Sequence, residues 1–138
     1  MTSKGADYLA IGVLSIGAIA FGAFGLQWLL DPISMALPLG IVLTNGDATS
    51  DARAVYGGME LGMAAFLIYS AASKDRRTQG LAAAALSLFG LGTCRFIGIL
   101  AGHGVSAGTY QLLGTDLGGT TLCTIAFLVS RRSSNKRS

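Results

Sequence analysis

The sequence predicts an all-α membrane protein, an antiparallel bundle of four transmembrane helices in a single domain over residues 1–138. Two observations lead to this prediction. Hydrophobic residues make up 51% of the chain and charged residues only 12%, about half of the ~25% charged residues in ordinary soluble domains. The apolar residues are also gathered into four runs, each close to the ~20 residues that a helix needs to cross ~30 Å of hydrocarbon.

The four predicted spans are residues 8–30, 54–72, 81–101 and 108–129. A soluble helical bundle would need polar helix faces, whereas the first run has only Ser15 and Gln27 as polar side chains. That run is also longer than the 7–15 apolar residues of a cleaved signal peptide, so we expect it to remain as a span.

The connection between the first two spans contains a short apolar segment, residues 32–43, which is interrupted by Pro38. Because it is too short to cross a bilayer, we expect an interfacial or re-entrant segment after the first helix, over the outer mouth of the bundle. Residues 44–51 are polar turn material, and a helix N-cap is predicted at Ser50 or Asp51.

Basic residues lie on one side of the predicted spans. They precede the first span, lie between the second and the third, and fill the tail 130–138; they are Lys4, Lys74, Arg76, Arg77, Arg131, Arg132, Lys136 and Arg137. The positive-inside rule then places both termini in the cytoplasm. The basic tail 130–138 is most simply a topology anchor, with binding to anionic membrane lipids as a weaker addition, and nucleic acid is not expected as a partner.

Three ionisable residues lie inside the predicted spans. Counted from the outer ends, Glu60, Arg95 and Asp116 fall ~9–14 Å below the outer surface. At that common depth one arginine could contact both carboxylates. Tyr56 lies one helical turn from Glu60 and is placed to donate to it, and Arg53 lies on the same face nearer the outer end. Ionisable residues inside a membrane are costly, and those that occur are usually paired with one another or serve a function.

Two interpretations of these five residues stay open. In the first, Arg95 holds Glu60 and Asp116 together, and the network is purely structural. In the second, the same residues form a pocket that opens to the outer face and binds a ligand. The candidate rim residues of that pocket are Trp28, His103, Tyr110 and Gln111, although Trp28 and Tyr110 equally fit an interfacial aromatic belt.

The residue types argue against catalysis. The chain has one histidine, and neither a metal-ligand cluster nor a phosphate-binding glycine loop occurs in the sequence. We therefore expect no catalytic residue, no metal and no cofactor, and no enzymatic activity. Ion transport is not expected either, because the ionisable groups stop at mid-membrane.

Glycine is abundant, and three G-x-x-x-G patterns occur in the predicted spans, beginning at Gly58, Gly98 and Gly114. Such patterns let helix backbones approach closely. Packing within the bundle is the simpler expectation. The alternative is that outward Gly-rich faces on the second and fourth spans mediate self-association or contact with a larger membrane complex.

Two hypotheses for function follow. The protein binds a small amphipathic molecule such as a lipid, a quinone or an isoprenoid, with Arg53 or Arg95 meeting the polar head. Alternatively, it is an accessory subunit that packs its Gly-rich faces against a larger membrane complex of the oxidoreductase type.

Two segments carry a resemblance, residues 51–62 (DARAVYGGMELG) and residues 94–100 (CRFIGIL). They are similar to a family of small bacterial four-helix inner-membrane proteins known only as a domain of unknown function, with the pattern R-A-x-Y-G-G-x-E-L-G in the second helix. The resemblance implies the four-helix fold, a location in the bacterial inner membrane and the importance of Arg53, Glu60 and Arg95; it implies no activity. More distantly, the chain is similar to DoxX-like membrane proteins, some of which accompany oxidoreductases.

Overall fold

The computed structural model describes residues 3–102 and 105–135, and these ranges form helices and no strand. The helices are α1 (Ser3–Leu30), α2 (Pro32–Ala36), α3 (Gly46–Ala52), α4 (Met59–Ala71), α5 (Arg77–Ala101) and α6 (Ala107–Asn135). A π-helix, Arg53–Gly58, joins α3 to α4 without a break, and 3-10 turns lie at Leu37–Leu39 and Lys74–Arg76.

Four helical segments are long and apolar enough to cross a membrane: Lys4–Leu30, Gly46–Ala71, Lys74–Ala101 and Ala107–Ser133. They are called spans one to four below. Span one packs along span two and span three along span four, and contacts of α1 with α6 and of α4 with α5 close the bundle. The predicted all-α, four-span architecture is confirmed.

Span two begins earlier than predicted. The polar stretch expected to be a turn forms α3, so the N-cap prediction at Ser50 or Asp51 is wrong. The true cap is Asn45, whose side-chain oxygen accepts a hydrogen bond from the Ala48 N–H at 2.8 Å. Asp47 lies in the first turn, where a negative charge favours the helix dipole. A capped polar turn therefore extends the span beyond its apolar residues.

Span four ends later than predicted. The predicted tail after residue 129 continues as helix to Asn135, so Arg131 and Arg132 lie in the last turns of α6. Cations at this end of a helix interact favourably with the partial negative charge of its unpaired carbonyl groups. The bundle end that carries these two arginines together with Lys74, Arg76 and Arg77 is called the basic end below.

The predicted short segment after the first helix is confirmed, and it lies at the opposite end of the bundle. Asp31 caps α2, since its carboxylate accepts a hydrogen bond from the Ser34 N–H at 3.1 Å. Hydrogen bonds from the side chain and backbone of Ser34 hold the pKa of Asp31 below its usual value. The following 3-10 turn ends at Gly40. Its φ of 70° lies in the left-handed region, which glycine adopts at little cost.

The core of the bundle consists of small and aliphatic side chains, among which Leu14, Leu67, Leu81 and Ala126 are fully or almost fully buried. Large apolar side chains such as Ile16, Ile19 and Ile68 are instead exposed on the outside of the bundle. A soluble protein rarely exposes so much contiguous apolar surface, whereas lipid tails cover it without cost.

Candidate functional site

The pattern R-A-x-Y-G-G coincides with the π-helix Arg53–Gly58. Such wide turns are rare and occur frequently at functional sites. Arg53 turns back to span one, where its Nε donates to the backbone oxygen of Leu29 at 3.0 Å. That carbonyl lies in the last turn of α1, in which backbone oxygens lack helical partners. Arg53 therefore supplies a hydrogen-bond donor to an otherwise unpaired carbonyl at the end of α1.

Tyr56, in the middle of the π-helix, stacks on Trp28 of span one, with ring centroids 4.5 Å apart and an interplanar angle of 29°. Phe24 also meets Trp28, edge-on, with ring centroids 6.4 Å apart. The sequence placed Tyr56 beside Glu60 as a hydrogen-bond donor, but no hydrogen bond joins these two residues in the described part of the chain. Tyr56 contributes through its ring instead.

Trp28 is 0% exposed. It is therefore neither a rim residue of an open pocket nor a member of an interfacial belt, and both predictions for it are wrong. Ala36 and Ala52 form a buried cluster with it, because the short segment after span one folds over its ring. The indole Nε1 is buried without a hydrogen-bond partner among the described residues, which is an uncommon state for tryptophan.

Gly25 and Gly57 lie where spans one and two cross most closely. A Cβ atom built on Gly25 would lie 2.9 Å from the backbone oxygen of Gly57 and 2.9 Å from the Cβ of Glu60. A Cβ atom on Gly57 would lie 3.2 Å from the backbone nitrogen of Leu29. Both positions need glycine because each faces backbone, which cannot move aside as a flexible side chain can.

Arg95 and Asp116 form an ion pair between spans three and four. The Nε of Arg95 donates to the Oδ2 of Asp116 at 2.9 Å, and the two side chains are 26% and 8% exposed. Gly92 makes room for this contact, because a Cβ atom built on it would lie only 3.3 Å from the Cβ of Asp116. The backbone of Asp116 also accepts from the Thr120 hydroxyl at 2.7 Å.

Glu60 takes part neither in the contacts of Arg53 and Tyr56 with span one nor in the ion pair between spans three and four. It is half-buried on span two and makes no hydrogen bond or ion pair through its carboxylate within the described ranges. The predicted arrangement with Arg95 between two acids is therefore wrong in the structure, because the guanidinium is taken up by Asp116 alone.

The predicted site residues thus form two groups. Arg53, Tyr56 and Trp28 join spans one and two, while Arg95 and Asp116 join spans three and four. Of the other candidate rim residues, Tyr110 and Gln111 are exposed on α6, and His103 lies outside the described residues. Residues 3–102 and 105–135 hold no group of three or more His, Cys, Asp or Glu side chains that could bind a metal ion.

An apolar groove lies beside the ion pair. It has a volume of about 230 Å³ and is lined by Gly92, Thr93 and Phe96 of α5 with Leu113 and Leu117 of α6. The first three residues lie within one turn of Arg95 along α5, and the two leucines within one turn of Asp116 along α6. A charged group thus stands next to an apolar depression on the surface of the bundle.

A further group of charges, which was not predicted from the sequence, lies at the basic end. The carboxylate of Asp7, in the second turn of α1, binds Lys74 at 3.3 Å through Oδ2 and Arg77 at 3.2 Å through Oδ1. The signal in the sequence was an acidic residue at the start of span one, on the side of the membrane where the loops are basic. Opposite charges on the same side of a bundle tend to meet.

The four packed spans and the ion pair within them define a multi-pass α-helical membrane protein. Comparison with protein families adds that the chain belongs to the family described as Domain of unknown function (DUF4345), whose match covers residues 9–127. All four spans lie wholly or mostly within this match. Neither the curated proteins nor the solved structures gave a match.

Proposed function

We propose that the protein binds a small amphipathic molecule of the lipid, quinone or isoprenoid type beside Arg95, in the outer half of the membrane. The observation that carries the proposal is the apolar groove next to the Arg95–Asp116 ion pair. Among the described residues, Arg95 is bonded through its Nε alone, which leaves its other N–H groups available to a polar head.

The size of the groove limits what it holds. Its volume of about 230 Å³ is below the ~300–1,000 Å³ of pockets that enclose a drug-sized molecule. The groove therefore fits one segment of an apolar chain, while the rest of the ligand lies along the lipid-facing surface. Such a division suits a molecule with a compact polar head and a flexible or isoprenoid tail.

Native mass spectrometry of the full-length protein in mild detergent tests this proposal. We expect a stoichiometric small molecule on the wild type and its loss from Leu117→Trp, which fills the groove. Leu122→Trp is the matched control, because Leu122 is also exposed on α6 but does not line the groove. Equal occupancy in the two variants, or a wild type without any ligand, would contradict the proposal.

A second candidate function is supported by the glycines that face away from the bundle. A Cβ atom built on Gly62, Gly98, Gly114 or Gly118 would meet no atom within 4 Å. The expectation that the glycines of the G-x-x-x-G patterns serve packing within the bundle is therefore wrong for these four glycines. They leave smooth helix faces on which a further helix could pack closely, as an accessory subunit of a larger complex or a self-associating protein would require.

The two candidates differ in what accompanies the purified protein. A co-purifying polypeptide, lost in Gly114→Leu/Gly118→Leu, would favour the accessory subunit. The more distant similarity to DoxX-like proteins, some of which accompany oxidoreductases, belongs to this second candidate. A protein that stays monomeric and free of polypeptides under mild extraction would contradict it.

We further propose a location in the bacterial inner membrane with both termini in the cytoplasm. Lys74, Arg76 and Arg77 lie at the same end of the bundle as Arg131 and Arg132, which supports this orientation. Single cysteines can be introduced after replacing Cys94 and Cys123. Labelling from outside should reach positions 47 and 106, and positions 75 and 134 should react only after permeabilisation. A reversed pattern would refute the orientation.

A further inference from the structure

We propose that the basic end of the bundle holds a second site, which binds the headgroup of a zwitterionic phospholipid that carries an amine. Its phosphate would lie against Lys74 and Arg77, and its ammonium group against Asp75. The site is separate from the groove beside Arg95, so neither proposal depends on the other.

The site is a cavity of about 380 Å³ between three chain segments. The start of α1 contributes Asp7, the segment from Lys74 to Thr78 contributes the cations, and the end of α6 contributes Ser130 and Ser133. The volume lies within the ~300–1,000 Å³ range of small-molecule pockets. Most of the lining side chains are polar or charged, and Ala10, which also lines the cavity, belongs to the apolar core of the bundle.

Asp7 fixes the two cations on the wall of this cavity. Each oxygen of its carboxylate holds one of them, Lys74 at 3.3 Å and Arg77 at 3.2 Å. The Nε of Arg77 also donates to the backbone oxygen of Ala71 at 3.3 Å. A guanidinium has five N–H groups and these contacts use two, so the other N–H groups have no partner in the described part of the chain and are available to an anion. Arg77 is only 16% exposed, so the direction of its side chain is well defined.

The side chain of Ser130 is the second observation that points to a ligand. Its Oγ is buried and has no hydrogen-bond partner among the described residues, and Ser130 is one of the residues that line the cavity. Buried hydroxyl groups almost always have a partner. A phosphate oxygen accepts hydrogen bonds from hydroxyl, ammonium and guanidinium groups alike, and Ser130, Lys74 and Arg77 offer one of each around the same space.

The balance of charge favours a zwitterion over an anion. Asp7, Asp75, Lys74 and Arg77 are the charged residues that line the cavity, and their formal charges cancel. Asp7 is engaged by both cations, whereas Asp75 makes no ion pair with any described residue. Its carboxylate is therefore available to an ammonium group, and a headgroup with one phosphate and one amine would leave the site neutral.

The position of the cavity suits a lipid. It lies where basic side chains end the spans, at the level that Lys and Arg occupy beside headgroups. Basic pockets between transmembrane helices bind the phosphates of anionic headgroups, and here Asp75 adds an acidic partner for an amine. Apolar lining by Ala6 and Ala10 on α1 provides a path from the headgroup toward the acyl region.

The test is native mass spectrometry of full-length protein from nanodiscs of phosphatidylethanolamine, phosphatidylglycerol or phosphatidylcholine. We expect the wild type to retain one phosphatidylethanolamine at least fivefold more often than either other lipid. Arg77→Gln should reduce this retention at least fivefold. Arg76→Gln should not, because Arg76 belongs to the same basic segment but lies over the Tyr69 ring, 3.9 Å from its centroid, and does not line the cavity.

Two further variants keep the test decisive if Arg77→Gln folds poorly. Ser130→Ala removes a hydroxyl that no residue in 3–102 or 105–135 binds, and it should lower retention without lowering expression. Asp75→Asn should abolish the preference for phosphatidylethanolamine over phosphatidylglycerol. Equal retention in Arg77→Gln and Arg76→Gln, or a wild type that prefers phosphatidylglycerol, would overturn the proposal.

Soluble competitors show whether the site binds a phospholipid or a free phosphate compound. Phosphoethanolamine and inorganic phosphate are added at millimolar concentration to the delipidated protein. We expect neither to protect it against thermal unfolding as the lipid does, because neither provides acyl chains. Protection by inorganic phosphate equal to that by the lipid would show a site for free phosphate and overturn the assignment to a lipid.

Discussion

The Nε of Arg95 lies 2.9 Å from the Oδ2 of Asp116, so that a guanidinium of span three is bound to a carboxylate of span four inside the bundle. Spans one and two are joined differently, by the close approach of backbone at Gly25 and Gly57. The first contact depends on charge and the second on the absence of side-chain atoms, and this difference determines how each responds to substitution.

Removing one partner of the ion pair should strongly destabilise the protein. Arg95→Ala leaves Asp116 charged and without its cation, and breaking a buried pair in this way typically costs ~3–5 kcal/mol. The double change Arg95→Met/Asp116→Leu should recover most of this loss, because no buried charge remains. The free energy of unfolding can be measured by SDS titration in mixed micelles.

Glu60→Gln is the matched control, since Glu60 lies at a similar depth but makes no ion pair with a described residue. We expect a change within ~0.5 kcal/mol, as for substitutions away from paired charges. A loss as large as that of Arg95→Ala would show that Glu60 shares the guanidinium after all.

A methyl group at the crossing of spans one and two should also be costly. In Gly25→Ala the added Cβ meets backbone of span two at 2.9 Å, so the helices must separate, and such overpacking costs ~1–3 kcal/mol. Gly12→Ala is the control on the same helix, because nothing lies within 4 Å of its Cβ position. It should be neutral or stabilising by up to ~1 kcal/mol, since alanine favours the helix. Equal losses in the two variants would refute the close crossing.

Fluorescence should report on the buried aromatic stack. Trp28 is the only tryptophan of the chain and is fully buried, so its emission should be blue-shifted and resistant to acrylamide. Tyr56→Ala removes the stacked ring and should make the emission more accessible to the quencher. Tyr110→Ala, at an exposed tyrosine, should leave quenching unchanged. Free quenching of the wild type would contradict the burial of Trp28.

The protein in liposomes should not dissipate an imposed pH gradient. Between the Arg95–Asp116 pair and the basic end, the core consists mainly of apolar side chains such as Leu14, Leu67 and Leu81, and Ser70 is the buried polar side chain among the described residues there. Such a region does not support a continuous chain of water. A dye that follows internal pH would detect a leak, and a leak abolished by Glu60→Gln would make the carboxylates a proton relay.

The four spans could be predicted from the sequence because membrane insertion requires length and hydrophobicity, and both are properties of a local run of residues. The ends of the spans were less accurate. Asn45 extends span two by side-chain capping and Asp47 by its charge in the first turn, and Arg131 and Arg132 continue span four, although all four residues are polar. Caps and helix dipoles can thus extend a helix into polar sequence.

The depth of Arg95 and Asp116 also followed from counting residues along two helices, and their pairing is confirmed by the structure. The sequence could not tell which carboxylate the arginine would choose, because Glu60 and Asp116 lie at similar depths. That choice depends on which helices are neighbours, and span three packs mainly on span four.

The sequence by itself determined that this chain is a four-span membrane protein with charges inside the bundle and basic residues at one end. Tertiary structure alone decided that Trp28 is buried under a short segment, that Arg53 binds a backbone oxygen of span one, and that Asp7 gathers two cations around a cavity. The physical reason is that hydrophobicity acts on each segment separately, whereas these contacts join residues far apart in the chain and exist only once the helices have chosen their neighbours.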